Sequence, residues 1–260
     1  MSGLKNTLLI LFLIISVNGS CKRESTKDLS LNAEAYDKLG MPDYNKIWTI
    51  GDYSNAIITL SSLRINYALS LPRILSKKSG ALFNKFINEE NLSFVNDTTL
   101  PLPVRAYQIQ SFGRLQSELE QIYSVELNER KYYKEELIDI EIFGIFVYEK
   151  MMELAWTIMD SDDESVIGMR SGLQAVKYNY LSLIARLLNE QVELKEYPLN
   201  SLERLSDSVS ASIIKNQEWF LPADRKAIIS QIEAIIEKSP ADYIKNNLDE
   251  TLEILNDSTN

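Results

Sequence analysis

The chain has 260 residues, 45% of them hydrophobic and 25% charged, which is the balance of a folded globular protein. Its net charge of −10 argues against nucleic-acid binding, because proteins that bind nucleic acids need a basic surface. The chain contains no histidine, which excludes Ser-His-Asp and Cys-His catalysis, HExxH zinc sites and Glu-x-x-His di-iron sites. We therefore expect no metal and no cofactor, and a binding protein is favoured over an enzyme.

The N-terminal residues follow the pattern of an export signal. Lys5 precedes the apolar run Leu8–Val17, and small residues come directly before Cys21. This pattern resembles the signal of bacterial lipoproteins, in which cleavage leaves a lipidated cysteine at the new N-terminus. The resemblance covers residues 1–21 and implies export and attachment, through lipid on Cys21, to a bacterial membrane, with the outer membrane the expected one. A plain secretory signal is the alternative, and the single cysteine excludes a disulfide within the chain either way.

Composition divides the rest of the chain into a polar link and one domain. Residues 21–42 are largely polar and lack a strong apolar stripe, so we predict a tether with one short helical turn around Ala33–Leu39. Residues 1–20 are then the signal peptide, and residues 43–257 form a single domain. The chain has only nine glycines and seven prolines, which favours a helical protein over a strand-rich one.

Apolar residues recur at helical spacing through the domain, and no segment alternates clearly as a strand does. Short connections between the helices indicate antiparallel neighbours. We predict an all-α, helical-bundle-like domain of about seven to eight helices, mostly antiparallel hairpins around a central apolar helix at 134–160. The other predicted helices are Asp52–Leu69, with Asp52 as its cap, Ser79–Asn88, Val104–Val125, a helix from Ser161 to Glu190, 201–216, one that begins at Pro222 and one that begins near Asp242.

The central helix, residues 134–160, is apolar around most of its circumference and must be buried on most sides. It carries too many charges to cross a bilayer. Glu141 interrupts its apolar side, in line with Tyr148, and a buried carboxylate needs a partner. We predict that Arg170 or Lys177, from the next helix, reaches Glu141 and that these four residues form a buried polar cluster. Such a cluster either binds a small ligand or is a structural network.

A second candidate site is a run of basic charge. Between residues 53 and 88 the chain has five basic residues and no acidic one. Arg73, Lys77, Lys78 and Lys85 are the candidates for binding an anionic headgroup, a glycan or an acidic partner, and the two adjacent lysines precede a predicted helix N-terminus. The alternative is that these charges pair with acidic helices of the same protein.

A third candidate is the aromatic pair Trp219 and Phe220, which comes shortly before Pro222. Exposed aromatic residues anchor protein partners or stack on sugars. The alternative is a hydrophobic staple, in which the pair packs inward and fixes the start of the next helix.

Together these features favour an exported, membrane-anchored helical binding module that holds a protein partner or captures a glycan or nutrient at the cell envelope. The signal leaves open whether the protein faces the periplasm or the cell surface. The alternative is a carboxylate-based enzyme or a small-ligand binder with a polar pocket around Glu141. A structural spacer in the envelope is a third interpretation.

Overall fold

The computed structural model describes residues 28–239 and 241–257, so the predicted signal, Cys21 and Pro240 lie outside the described residues. Ten α-helices make up most of this part of the chain, which confirms the all-α class and the single helical domain. Short 3-10 turns lie at Ala68–Ser70, Glu89–Asn96, Arg170–Gly172 and Gln217–Trp219. The helices are α1 (Ala33–Lys38), α2 (Ile50–Tyr67), α3 (Gly80–Phe86), α4 (Leu102–Tyr123), α5 (Lys134–Asp160), α6 (Glu164–Ile167), α7 (Leu173–Glu190), α8 (Leu199–Asn216), α9 (Pro222–Lys238) and α10 (Asp242–Asp257), and a hairpin between α4 and α5 contains β1 (Glu126–Leu127) and β2 (Arg130–Lys131).

The start of α2 shows how local chemistry sets a helix boundary. The Thr49 hydroxyl accepts a hydrogen bond from the Asp52 backbone N–H at 3.2 Å, and the Asp52 carboxylate accepts one from the Thr49 N–H at 2.9 Å. This reciprocal pair is a capping box, which satisfies backbone groups that the helix itself leaves unpaired. The cap is therefore Thr49, and the prediction that Asp52 caps the helix is wrong.

The central helix α5 begins and ends at the predicted residues. It contacts α4, α7 and α8, and its buried apolar side chains belong to one continuous core. Glutamate and aspartate side chains interrupt this apolar surface at several turns. Within the described residues, no helix is both long enough and apolar enough to cross a membrane.

Contacts along α5 give the direction of its neighbours. In α4, the Gln116 side chain donates to the Ile140 carbonyl at 3.1 Å, whereas Gly113, earlier in α4, faces Met151, later in α5, so the two helices are antiparallel. Helix α8 runs parallel to α5, because the basic residue nearer the start of α8 pairs with the carboxylate nearer the start of α5. The two ion pairs that show this are Asp139–Arg204 and Glu149–Lys215.

The helix predicted from Ser161 to Glu190 is broken. The short helix α6 is followed by a 3-10 turn, and α7 begins only after that turn. Gly168 and Gly172 lie in the break, and glycine disfavours a continuous helix. Arg170 lies between them and donates hydrogen bonds to two backbone carbonyls at the end of α5, which holds the break in place.

The described part of the predicted tether is docked on the domain. Helix α1 places Tyr36 in the core, where it is 1% exposed, and its hydroxyl donates to the Ser70 carbonyl at 2.7 Å. Met41 is buried as well. The prediction of a tether over 21–42 is therefore wrong for residues 28–42, because two apolar side chains in a polar segment are enough to dock it. The short helical turn predicted within this segment is confirmed.

The sequence does not predict the hairpin between α4 and α5. Leu127 pairs with Arg130 across a two-residue turn. Both turn residues, Asn128 and Glu129, have positive φ angles, 52° and 60°, as the central residues of a type I′ hairpin turn do. Each strand has only two residues, which is too short for an alternating pattern to be visible in the sequence.

We expect Gly80→Ala to destabilise the protein by about 1–3 kcal/mol, the usual cost of overpacking. A Cβ at Gly80 would lie 2.8 Å from the backbone carbonyl oxygen of Ile74, which cannot move without shifting the loop at 71–79. Gly168→Ala is the matched control, because a Cβ there meets no atom within 4 Å. Urea unfolding measures both variants, and equal free energies of unfolding would show that the close approach at Gly80 is unimportant.

Candidate functional site

A cleft of about 730 Å³ opens between the loop at 71–79 and the hairpin β1–β2, beside the first turn of α5. We name it the hairpin cleft. Its volume lies in the range of small-molecule sites in proteins, roughly 300–1,000 Å³. Its lining residues are Asp28, Arg73, Leu75, Ser76, Leu127, Asn128, Arg130, Lys131, Tyr132, Lys134, Glu135, Glu136 and Pro198.

An ion pair between Arg73 and Glu136 lies in the lining of the hairpin cleft. Glu136 is 1% exposed and accepts hydrogen bonds from the Ile74 N–H at 3.0 Å and from Nε of Arg73 at 3.5 Å. The guanidinium also lies near the rings of Tyr132 and Tyr133, 5.2 and 5.4 Å from their centres. Burial raises the pKa of Glu136, although the charge of Arg73 opposes this effect. The pair therefore fixes the loop to α5.

The first described residues lie at the edge of the cleft. The Asp28 carboxylate accepts hydrogen bonds from the hydroxyls of Ser30, at 2.5 Å, and Ser76, at 2.7 Å. Partial burial acts to raise the pKa of Asp28, but these hydrogen bonds and the charge of Lys78 hold it below its ordinary value. Asp28 is thus fixed to the 71–79 loop at the cleft.

The predicted basic patch is divided between the surface and the interior. Lys77 and Lys78 are exposed in the loop before α3. Lys85 is only 7% exposed, and Arg73 is paired with Glu136, so the prediction that all four basic residues face a partner is wrong. The absence of acidic residues nearby in sequence is misleading, because Glu136 comes from α5, 63 positions along the chain.

The hairpin and the start of α5 contribute basic residues that sequence reasoning missed. Arg130, on the hairpin, is exposed, and Lys134, the first residue of α5, is half-buried and donates to the Lys195 carbonyl at 3.3 Å; both line the cleft. Two apolar side chains stand beside them: Leu75, 76% exposed on the loop, and Leu127, 48% exposed on the hairpin. The available signal was the cluster of basic residues at 130–134, which has meaning only once the hairpin is known.

Glu141 lies in a second polar cluster, inside the bundle. One guanidinium nitrogen of Arg186 lies 3.0 Å from carboxylate oxygens of both Glu141 and Glu190, and the other lies 3.2 Å from Glu120. Burial, with the charge of Glu190, raises the pKa of Glu141 well above its ordinary value despite Arg186. Burial and the charge of Glu120 also raise the pKa of Tyr148, which lies beside the cluster as predicted. Three carboxylates share one guanidinium, so the cluster favours keeping a proton.

The predicted partners of Glu141 are wrong. Helix α7 runs antiparallel to α5, so Glu141, near the start of α5, faces Arg186, near the end of α7. Arg170 and Lys177 lie toward the other end of this helix pair. Arg170 bonds to backbone carbonyls at the end of α5, and Lys177 pairs with Asp224 at 2.7 Å. Glu141 is buried as predicted, but Lys177 and Arg186 are nine residues apart, which places them on opposite sides of α7, and the side with Arg186 is the one that faces α5.

Lys131 connects the hairpin cleft to the Glu141 cluster. Its ammonium group bonds to the Tyr197 hydroxyl and lies 4.4 Å from the centre of the Tyr197 ring. Tyr197 is 2% exposed, and burial together with the charges of Glu141 and Glu190 raises its pKa. Lys131 is therefore held toward the interior, and a ligand in the cleft meets Arg130 more readily.

The aromatic pair is packed against the bundle. Phe220 is 7% exposed and stacks on Tyr180, with 6.4 Å between the ring centres. Trp219 is half-buried and lies 4.1 Å from Trp156 between ring centres. These contacts lie immediately before Pro222 and fix the start of α9, which favours the staple interpretation over a partner-binding surface.

The described residues offer two kinds of chemistry. Basic side chains in the hairpin cleft can attract an anion, and the carboxylates around Glu141 can retain a proton. In this part of the chain, no group of acidic or cysteine side chains is arranged to hold a metal ion. No protein-family model, curated protein or solved structure matches the chain.

Glu141→Gln should make stability less dependent on pH. The folded protein binds the Glu141 proton more tightly than the unfolded chain, whose glutamate pKa is about 4.3, so wild-type stability falls as pH rises above that value. Glutamine cannot ionise, so the variant should lack this decline and gain stability relative to wild type as the pH rises above that value. Urea unfolding across a pH series measures this, with Glu118→Gln, an exposed position on α4, as the control. Parallel stability curves for wild type and Glu141→Gln would contradict the expectation.

Proposed function

We propose that this protein is an exported, lipid-anchored binding module of the bacterial cell envelope and that the hairpin cleft is its ligand site. The observation that carries the proposal is the cleft itself. It has the volume of a small-ligand site, and two separate chain segments form its walls. The Arg73–Glu136 pair ties the loop wall to α5, so the site is formed before a ligand arrives.

The chemistry of the cleft favours an anionic group such as a phosphate or carboxylate. Its lining contains four basic and three acidic residues in a chain whose net charge is −10. Two of the acidic residues, Asp28 and Glu136, already accept hydrogen bonds within the protein. Arg130, on the hairpin, and Lys134, at the start of α5, line the cleft, and we expect a bound anion to meet them. A local excess of positive charge on an acidic protein steers anions to that point.

The envelope placement is supported by the lipoprotein-like signal that ends at Cys21. Binding is favoured over catalysis because the Glu141 carboxylate itself is buried. Glu141 is 2% exposed and does not line the hairpin cleft. A structural network that fixes the register of α4, α5 and α7 accounts for the contacts of Arg186 with its three carboxylates.

Cys21→Ser should release the protein from the membrane fraction, because a serine hydroxyl cannot replace the thiol that accepts the lipid. We expect the wild-type protein in the membrane pellet after a high-salt wash and the variant in the supernatant. Radiolabelled fatty acid should label only the wild type. A variant that stays in the washed pellet would overturn the lipid-anchor proposal.

Replacing Arg130 and Lys134 with glutamine should weaken anion binding by about fivefold, because each exposed charge pair contributes roughly 0.5 kcal/mol. The probes are pyrophosphate and citrate at low salt, and NMR shift titration measures affinity and location together. The matched control is Lys226→Gln with Lys238→Gln, which removes the same charge from exposed positions on α9, a helix that contributes no residue to the cleft. Equal affinity of the two double variants would show that the cleft is not the anion site.

A further inference from the structure

The chain leads into the domain at the hairpin cleft. Asp28 lines the cleft and is hydrogen-bonded to Ser76 of the 71–79 loop. Cys21 precedes Asp28 by seven residues, and seven residues span at most about 25 Å even when fully extended. A lipid on Cys21 would therefore hold the cleft close to the membrane surface, and the opposite side of the bundle would face away.

The walls of the cleft carry exposed apolar side chains, which a surface held against a membrane requires. Leu75 is 76% exposed at the loop and Leu127 is 48% exposed at the hairpin. Both line the opening of the cleft, one from each wall. Exposed leucines in this arrangement fit the boundary between lipid headgroups and acyl chains, where apolar side chains of peripheral proteins are buried.

Basic residues flank these leucines. Arg130 is the cross-strand partner of Leu127, so the two side chains lie on the same face of the hairpin. Lys77 and Lys78 follow Leu75 in the loop and are exposed. An apolar side chain beside a long basic one is the pattern of the membrane interface, where the basic group reaches the phosphates.

The charge of this face is opposite to that of the protein as a whole. The exposed residues of the loop and hairpin contain three basic and two acidic side chains, whereas the chain has a net charge of −10. The acidic ones are Glu126 and Glu129. Each basic residue near an anionic lipid surface contributes attraction that salt screens.

We propose that this face is a membrane-contact surface and that the ligand class of the hairpin cleft is the anionic headgroup of a phospholipid in the membrane that holds Cys21. Leu75 and Leu127 enter the headgroup region, while Lys77, Lys78 and Arg130 bind phosphates. This inference rests on the proposed function, because it takes both the lipid on Cys21 and the cleft as the ligand site. A lipid anchor and a basic surface bind a membrane more stably together than either does alone.

The sequence suits a direct test by site-specific labelling. Cys21 is the only cysteine of the chain, and its thiol is consumed by lipidation, so one introduced cysteine is the only reactive thiol of the processed protein. The environment-sensitive fluorophore NBD is attached to Leu75→Cys, Leu127→Cys or the control Lys238→Cys. Each labelled protein is reconstituted into vesicles of phosphatidylcholine with or without phosphatidylglycerol. On the anionic vesicles, we expect the NBD emission at positions 75 and 127 to shift to the blue and to become roughly twofold or more brighter. The emission at position 238 should not change.

The outcomes separate this inference from the proposed function. Protein that fails to pellet with membranes overturns the lipid anchor itself, and the inference with it. Vesicle-bound protein with unchanged emission at 75 and 127, or with equal changes at 238, overturns the contact surface alone. Tight binding of an acidic polysaccharide, with no response to vesicles, would assign the cleft to a glycan instead.

A charge variant adds an independent measurement. Lys77→Gln with Lys78→Gln should lower the emission change at position 127 by about half on anionic vesicles at low salt, and added salt should produce a similar loss in the parent protein. The Lys226→Gln and Lys238→Gln pair is the control for net charge. An equal loss in both double variants would show that overall charge, and not this face, controls the contact.

Discussion

Three buried carboxylates on α5 set the positions of the elements that pack around this helix. Glu136, Asp139 and Glu141 are each less than 9% exposed on a helix that is otherwise apolar at its buried positions. A buried carboxylate without a partner is costly, and removing one member of a buried pair costs about 3–5 kcal/mol. Each carboxylate is met by an arginine from a different element, and each pairing fixes one neighbour along α5. The pairs are Glu136–Arg73 from the loop at 71–79, Asp139–Arg204 from α8 and Glu141–Arg186 from α7.

The first of these pairs connects the core to the hairpin cleft. Arg73 lines the cleft, and its pair with Glu136 positions the loop that carries Leu75 and Lys77. Tyr133, at the other end of the hairpin, is fully buried, and its hydroxyl donates to the Ala68 carbonyl at 2.9 Å and accepts from the Leu71 N–H at 3.2 Å. The two walls of the cleft are thus joined through buried contacts. The core dictates where the exposed basic and apolar side chains stand.

The sequence predicts the elements that follow from a repeating apolar pattern, and it does not predict features that depend on a single contact. The bounds of α5 follow from a long apolar pattern, and the burial of Glu141 follows from its position within that pattern. The partner of Glu141 does not follow, because Arg170, Lys177 and Arg186 all lie after α5, and both the side of α7 that faces α5 and the register of the antiparallel pair select one.

The hairpin cleft could not be predicted for a similar reason. Its hairpin has two residues in each strand, and its turn lacks the glycine that usually marks such a turn. The docking of residues 28–42 depends largely on Tyr36, one tyrosine in a polar segment. Isolated contacts of this kind leave no repeating pattern in the sequence.

The proposal to test is that the 71–79 loop and the hairpin form the surface at which this protein meets its ligand and its membrane. Hydrogen–deuterium exchange of the lipidated protein, compared between detergent micelles and vesicles that contain phosphatidylglycerol, tests it most directly, because it reports every segment at once. We expect slower exchange at 73–79 and 126–131 on the vesicles and unchanged exchange along α9. Protection on α9 or another distant face, with none at the loop and hairpin, would contradict it.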